Sequence, residues 1–299
     1  MTDKLSGRII CGVGGLYTVL CDGGKILKCK ARGVLRIKKI TPLAGDRVTV
    51  RRGDGDEMGF FIDSIFPRKT VLDRPPVANI DTVFTVLCPA EPEPSLLGTD
   101  KLLCAISAAK ITPVVIISKA DIAPEKAKAL FDIYSKGYKV FLTSSELGEG
   151  IGELRRFISE NTTICAFAGA SGVGKSTLLN ALFPDLSLKT GKISEKSQRG
   201  KHTTREITLF PFGDDKFIAD TPGFSRLDLD AVEYFPPEEL FFCFPEFEKY
   251  FGKCKYKGCT HLREEGCAVI SAVECGDIPL SRHESYVTMY EELKNNPRW

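Results

Sequence analysis

The sequence predicts a multi-domain chain: an N-terminal β-barrel of the OB type, a central α/β domain built on a phosphate-binding loop, and a C-terminal, mainly α zinc-binding domain. Three observations predict it. Residues 1–70 break into five short β-rich pieces between glycine turns. From residue 71 the pattern becomes alternating strands and helices, the signature of a parallel α/β sheet, with a glycine-rich loop at residues 169–177. Residues 254–267 then gather three cysteines and a histidine at ligand-like spacing. A chain of 299 residues is long enough for two or three domains that each bury a core, here 1–70, 71–235 and 236–299.

Composition narrows the class. Apolar (43%) and charged (27%) fractions are those of an ordinary globular protein. No apolar run approaches the ~18 residues that span a bilayer, and no signal-peptide core stands at the start, so the expectation is a cytoplasmic protein without a membrane partner. Eleven scattered cysteines argue against a disulfide framework there; Cys88, Cys104 and Cys165 lie in apolar segments and read as small buried residues. The net charge of +2 hides an asymmetry: residues 1–70 carry 14 Lys/Arg against 7 Asp/Glu, which points to a nucleic-acid surface.

In the first module the candidate strands are Arg8–Val13, Tyr17–Leu20, Lys25–Ala31, Arg47–Arg51 and Phe60–Ile65. Gly14-Gly15, Asp22-Gly23-Gly24, Ala44-Gly45-Asp46 and Gly53-Asp54-Gly55-Asp56 supply the turns. Five short strands in a small basic module suggest an OB-type barrel. Lys28, Lys30, Arg32, Arg36, Lys38 and Lys39 are its best candidates for RNA phosphate contacts. Aromatics for base stacking are few here, so backbone and shape recognition is expected. Leu72-Asp73-Arg74-Pro75-Pro76 reads as a stiff connector and a domain boundary.

Beyond the connector, strands are predicted at Asp81–Leu87, Pro113–Ile117, Lys139–Leu142 and Thr163–Ala168, and helices at Ser95–Lys110, Pro124–Lys136, Gly150–Asn161 and Ser176–Phe183. Gly169-Ala170-Ser171-Gly172-Val173-Gly174-Lys175-Ser176-Thr177 matches G-x-x-x-x-G-K-[ST]. Its glycines let successive N–H groups turn onto phosphate oxygens, Lys175 brings a charge to the outer phosphates, and the Ser176 hydroxyl is placed to ligate Mg²⁺. Two upstream strand ends resemble the guanine-reading motifs of GTPases. Ser118-Lys119-Ala120-Asp121 resembles N-K-x-D, with Ser118 in place of Asn. Asp121 could accept from N1–H and the 2-amino group of guanine, a pair adenine does not offer. Lys119 would lie over the base, and Thr143-Ser144-Ser145 resembles the loop whose backbone N–H meets the guanine carbonyl. Both motifs precede the phosphate loop, which is the order of a circularly permuted GTPase.

Residues 189–205 are polar, basic and glycine-bearing, as a switch loop over the phosphates would be. Within Gly200-Lys201-His202-Thr203-Thr204-Arg205, Thr204 is the favoured Mg²⁺ ligand and Thr203 the alternative. Strands Ile207–Pro211 and Lys216–Ala219 follow, and Asp220-Thr221-Pro222-Gly223 resembles D-x-x-G. Asp220 would hold Mg²⁺ through water, and the Gly223 N–H would sense the γ-phosphate. Phe224 stands where many GTPases carry a water-orienting Gln. A phenyl ring cannot position a water, so His202 is the nearest polar candidate and slow unstimulated turnover is expected.

Phe235–Phe251 is expected to pack as a helical connector. Cys254, Cys259, His261 and Cys267 suit a closed, structural zinc site, with Cys275 as a possible substitute ligand. Lys249, Lys253, Lys255, Lys257 and Arg263 crowd that site, so the metal would stiffen a second RNA-facing surface. From Pro279 onward, Tyr286, Met289, Tyr290 and Leu293 fall at helical spacing and read as core.

Taken together, these residues resemble the RsgA (YjeQ/YloQ) family of circularly permuted GTPases over nearly the whole chain. The likeness rests on Arg74-Pro75-Pro76-Val77-Ala78-Asn79-Ile80-Asp81, Gly172–Ser176, Gly200–Thr204, Asp220–Phe224 and the Cys/His cluster, with Ser118 as the main departure. The resemblance implies GTP hydrolysis to GDP, stimulated by the small ribosomal subunit in its late maturation, with His202 catalytic. It also implies rRNA contact, Mg²⁺ with GTP, and one structural Zn²⁺; a monomer is expected. Two other classes share part of this pattern: an ATP-using phosphotransferase, and an RNA-binding scaffold with vestigial nucleotide binding.

Overall fold

The computed structural model describes residues 4–53, 59–73, 75–184, 207–220 and 236–295. They fall into two compact units. The first is drawn from Met1–Thr82, Ile158–Ala166 and Phe183–Phe224, the second from Val83–Phe157, Phe167–Leu182 and Ser225–Trp299.

In the first unit, β1 (Leu5–Val13), β2 (Leu16–Cys21), β3 (Ile26–Ala31), β4 (Arg47–Arg52) and β5 (Phe60–Ile65) close into a barrel in the order β1-β2-β3-β5-β4. The two-residue period of a half-buried strand explains β3: Leu27 and Cys29 point inward, Lys28 and Lys30 outward. Ile9, Val19, Cys29, Val48, Val50 and Ile62 fill the interior completely. Closure requires β3 and β5 to run parallel, with Cys29 opposite Phe60 and Ala31 opposite Ile62, and it leaves no open edge. A short helix, α1 (Gly33–Ile37), follows β3; the sequence pattern did not announce it.

The stretch expected to be a stiff connector folds as a small hairpin. β6 (Val71–Asp73) pairs with β7 (Pro76–Ala78), Val71 opposite Ala78 and Leu72 opposite Val77. Pro75 sits in the turn and Pro76 opens a strand, positions that tolerate a missing N–H.

Six further strands form one sheet in the order β10-β9-β8-β11-β13-β12. They are β8 (Thr82–Leu87), β9 (Thr112–Ile117), β10 (Lys139–Leu142), β11 (Ile164–Ala168), β12 (Thr208–Gly213) and β13 (Lys216–Asp220). β8 and β11 are buried at every position, as near-continuous apolar runs with both faces covered should be. In the first unit, Arg8 of β1 holds the β12–β13 hairpin. Its Nε and Nη2 donate to the two Asp215 oxygens at 3.0 and 2.8 Å, and the guanidinium lies 5.4 Å from the centre of the Phe217 ring.

The second unit carries the helices α2 (Leu96–Ala108), α3 (Pro124–Tyr134), α4 (Ile151–Asn161) and α5 (Lys175–Leu182). α2 is capped by Ser95, whose Oγ accepts from the Gly98 N–H at 3.1 Å. α3 opens on Pro124, where no N–H is needed. It stops at Tyr134, short of Lys136, and the chain turns at Gly137, where a Cβ would lie 2.5 Å from the Glu246 carboxylate.

The segment expected to be one helical connector is two 3-10 turns, Pro237–Cys243 and Pro245–Tyr250. Pro245 has no N–H to donate and starts the second turn afresh. α6 (Ala268–Glu274) and α7 (Leu280–Asn295) complete the unit. Tyr286, Met289, Tyr290 and Leu293 of α7 are buried with Phe244 and Phe247, as their spacing requires. Arg282 of α7 is also buried. It donates to Asp100 of α2 at 2.5 Å, to Glu246 at 2.6 Å and to the Tyr138 hydroxyl at 3.1 Å. Burial pushes the Asp100 carboxyl up, and the Arg282 charge works against that shift. Among the described residues no helix is long and apolar enough to cross a membrane.

Candidate nucleotide site and metal cluster

The phosphate loop leaves the end of β11 at Gly169. Here φ is +136°, and a Cβ would stand 2.3 Å from the Val86 carbonyl oxygen of β8, so only glycine fits. The loop ends in α5, whose first turn carries Lys175, Ser176 and Thr177. Ser176 and Thr177 are exposed, as are Ala170 and Ser171, whereas Val173 is buried and anchors the loop. Lys175 Nζ donates to the loop's own carbonyls, Gly169 O at 2.8 Å and Ala170 O at 2.6 Å. Burial lowers its pKa. An anion seated in the loop would take over those two bonds and restore the preference for the charged form.

Ser118 and Lys119 bind this loop from the end of β9. Ser118 is 3% exposed, and its Oγ lies 2.9 Å from Leu87 O and 2.5 Å from Val173 O. One hydroxyl proton serves one acceptor at a time, and Val173 is the closer. The hydroxyl therefore ties the motif to the phosphate loop but leaves no donor over for a base. Lys119 adopts the left-handed region at φ 51°, unusual for a side chain of its size, and its Nζ donates to Gly172 O at 2.9 Å. Asp121 is half-buried, and its carboxylate has no partner among the described residues. Ser144 follows β10, is 1% exposed, and donates its N–H to Glu149 O at 3.0 Å. Ala120 N–H donates to Thr143 O at 3.1 Å, which joins the two base-reading loops. Thus Ser118, Lys119, Asp121, Ser144 and residues 169–177 lie in one unit, with direct bonds from Ser118 and Lys119 to the loop.

Asp220 closes β13 in the first unit, one residue after Ala219, which pairs with Ala166. Burial raises its carboxyl above the usual range, an effect a divalent cation would reverse. His202, Thr203, Thr204, Gly223 and Phe224 lie outside the described residues.

Cys254, Cys259, His261 and Cys267 bring their donor atoms within 4.8 Å of one another. His261 Nδ1 lies 3.5, 3.6 and 3.3 Å from the sulfurs of Cys254, Cys259 and Cys267, and the Cys254 and Cys267 sulfurs are 3.9 Å apart. A tetrahedral ion with bonds of ~2.3 Å to sulfur and ~2.0 Å to nitrogen sets the S–S and S–N edges at roughly 3.8 and 3.5 Å. The cluster therefore fits a metal ion of that size. Without one, burial pushes the Cys259 thiol up to about 12; a dication would hold it as thiolate. Cys275 is exposed at the end of α6 and is not part of the group.

The chain matches the sequence model of the RsgA GTPase over residues 65–230 and that of the RsgA N-terminal domain over residues 6–60. A protein of Agathobacter rectalis named small ribosomal subunit biogenesis GTPase RsgA is 39% identical over 307 residues, covering 99% of this chain and 100% of its own length. A Listeria monocytogenes protein named RsgA 2 with the same description is 44% identical over 99% of this chain and 100% of its own. The chain belongs to the RsgA GTPase family. Two solved structures agree. YjeQ from Thermotoga maritima gives a TM-score of 0.80 at 33% identity, covering 98% of this chain and 99% of its own. The circularly permuted GTPase YloQ gives 0.78 at 33%, covering 99% and 98%.

As a member of the RsgA family the chain is a GTP hydrolase of circularly permuted order. Sequence reasoning missed a residue that shapes its metal loop. The Glu264 carboxylate accepts from the Thr260 hydroxyl, from the Thr260 N–H at 2.7 Å, and from the Leu262 and Arg263 N–H groups at 2.9 and 3.1 Å. Burial works to raise it, but these donors win and hold it at about 2. A threonine four residues before a glutamate between two metal ligands was the available signal.

Proposed function

We propose that this chain hydrolyses GTP to GDP and phosphate in the late maturation of the small ribosomal subunit, and that the subunit stimulates turnover. The observation that carries it is full-length likeness to proteins named small ribosomal subunit biogenesis GTPase, in a chain whose Ser118 and Lys119 grip the phosphate loop.

Asp121 reads guanine, Lys119 supports the base, and backbone N–H groups of the Ser144 loop meet its carbonyl. The N–H groups of Gly169 to Thr177 cradle the phosphates, and Lys175 exchanges its two carbonyl partners for phosphate oxygens. Ser176, Asp220 and Thr204 (or Thr203) hold Mg²⁺, which neutralises charge on the transferring phosphoryl oxygens. Gly223 senses the γ-phosphate. His202 orients the attacking water in place of the Gln that Phe224 replaces, and its segment is what the subunit orders. Zn²⁺ fills the Cys254, Cys259, His261 and Cys267 cluster in a structural role.

The domains follow the sequence: 1–70 for rRNA, 71–235 for GTP, 236–299 for zinc. Lys28, Lys30, Lys38 and Lys39 are exposed on the barrel for rRNA phosphates. Arg32 instead donates to Asp63 at 2.6 Å and is partly spent on that pair. The protein acts as a cytoplasmic monomer. GTP turnover measured with and without purified small subunits, with ATP as control, is expected to rise strongly for GTP alone. Turnover indifferent to the subunit would break the link to assembly.

A further inference from the structure

A cleft of about 460 Å³, all of it within the second unit, borders the metal cluster and is lined in part by its Cys254, Cys259 and His261. Such a volume is ample for a small planar ligand. The lining also includes Phe242, Phe251, Tyr256, Tyr286, Tyr290 and Lys257. Three of these aromatics are unusually bare: Phe242 is 60% exposed, Phe251 65% and Tyr256 49%. The Phe242 and Phe251 ring centres are 5.5 Å apart at 46°, both packed on Phe241 beneath. Scattered single hydrophobics on a surface need no explanation, but several rings converging on one concavity mark a binding site.

The lining itself holds one lysine, Lys257, and one acid, Glu238; further basic side chains lie in the segment that supplies Lys257. Residues 249–263 carry Lys249, Lys253, Lys255, Lys257 and Arg263 and no acid. Lys249, Lys255 and Arg263 have long, exposed ion pairs of 3.9, 3.9 and 4.0 Å, which hold such chains weakly, and the Lys249 and Lys255 ammonium groups also lie 5.0 and 5.4 Å from the Tyr250 and Tyr256 ring centres. Lys253 and Lys257 have no acidic partner among the described residues. Rings that offer flat faces, interleaved with unspent ammonium groups, are what a single nucleic-acid strand requires: stacking for bases, cations for phosphates. An apolar peptide segment would use the rings and leave the lysines idle.

We propose that this cleft takes an unstacked base of single-stranded RNA against Phe242 and Phe251, with Lys253 and Lys257 on the flanking phosphates. Glu238, the one acid among the lining residues, is an acceptor for an exocyclic amine of that base. The assignment rests on the ribosomal reading above and gives it a base-level contact outside the barrel.

The test uses the full, metal-loaded chain and a fluorescein-labelled octa-adenylate RNA, beside the same sugar–phosphate strand without bases. Phe251→Ala and Phe242→Ala are expected to weaken octa-adenylate on the order of tenfold each and to leave the base-free strand unchanged. Phe251→Leu, which keeps apolar bulk but not the ring, should behave like Phe251→Ala. Lys257→Ala should weaken both strands and lower the salt slope by roughly 0.7. Equal binding of the two strands by the unaltered chain would overturn the proposal, as would Phe variants that weaken both strands alike. It also falls if the Phe variants keep octa-adenylate affinity but lose subunit-stimulated GTP turnover, because the cleft then serves a protein. Stimulation of the unaltered chain is measured in parallel; its absence would sink the ribosomal reading and leave the stacking result to be judged by itself.

Discussion

The phosphate loop and the metal loop are both irregular segments that converge polar atoms on an ion, yet they are held in opposite ways. Residues 169–174 are fixed from outside: the Val86 carbonyl crowds Gly169, and Ser118 and Lys119 bond Val173 and Gly172. Residues 254–267 are fixed from inside, by the Glu264 carboxylate and by four donors converging on one point that could hold a metal ion. The first loop is braced by the protein's own backbone and side chains. The second would depend on an ion, because three thiols and an imidazole have little reason to converge without one.

Metal removal is the strongest way to break this contrast. Chelation is expected to open residues 254–267 to hydrogen exchange and to lower the melting temperature sharply, since structural zinc sites contribute on the order of 10 kcal/mol. The phosphate loop should keep its protection in the same experiment. Equal loss in both loops would show that they are not separately held.

Asp121→Asn comes next. It should leave the loop intact but lower GTP affinity roughly a hundredfold or more, with xanthosine triphosphate gaining, because the carboxylate is replaced by a group that cannot accept both guanine donors. Unchanged GTP binding by titration calorimetry would remove Asp121 from base reading. A smaller effect is expected at Ser118. Ser118→Ala deletes one buried hydrogen bond and leaves a carbonyl without its donor, about 1–2 kcal/mol. It should weaken GTP and GDP alike by about five- to thirtyfold, and any change in base preference would contradict a purely positioning hydroxyl.

The smallest effect lies away from both loops. In the barrel, the Arg32 hydrogen bond, aided by Lys4, holds the Asp63 carboxyl below its usual range against a modest burial penalty. That stabilisation is fully present above the ordinary carboxylate range and is lost as pH falls through the lower folded value. Asp63→Asn should flatten this part of the acid-unfolding curve, by under about 1 kcal/mol given partial exposure.

The two loops also differ in how they are written. Gly169, Gly174, Lys175 and Ser176 are dictated by local needs, a tight turn and charge, so their spacing alone announced them. Cys254 to Cys267 were legible for the same reason. Ser118 looked like a weakened base contact, and only its approach to Val173, 55 positions away, reveals a tie to the loop. The prolines at 75 and 76 suggested stiffness, but whether a stiff segment pairs with its neighbour is a tertiary matter. Helix periodicity over 235–251 was broken by Pro237 and Pro245, whose missing donors favour short turns. The exposed rings of the aromatic cleft escaped notice because they have no spacing rule, and Glu264 because its one signal, Thr260 four residues before it, gains meaning only beside the ligands.

Arg282 decides how the second unit can be taken apart. Its two carboxylate partners are 182 and 36 positions away, and all three side chains are buried. A fragment that ends before α7 would keep Asp100 and Glu246 in an apolar setting with no counter-charge, a penalty of several kcal/mol. Truncation just before α7 therefore costs the second unit both of its buried ion pairs to Arg282. Contacts of such long sequence separation also form late, since the intervening chain must be ordered first. Burial of Asp100 in α2 thus waits on the helix that follows the metal cluster.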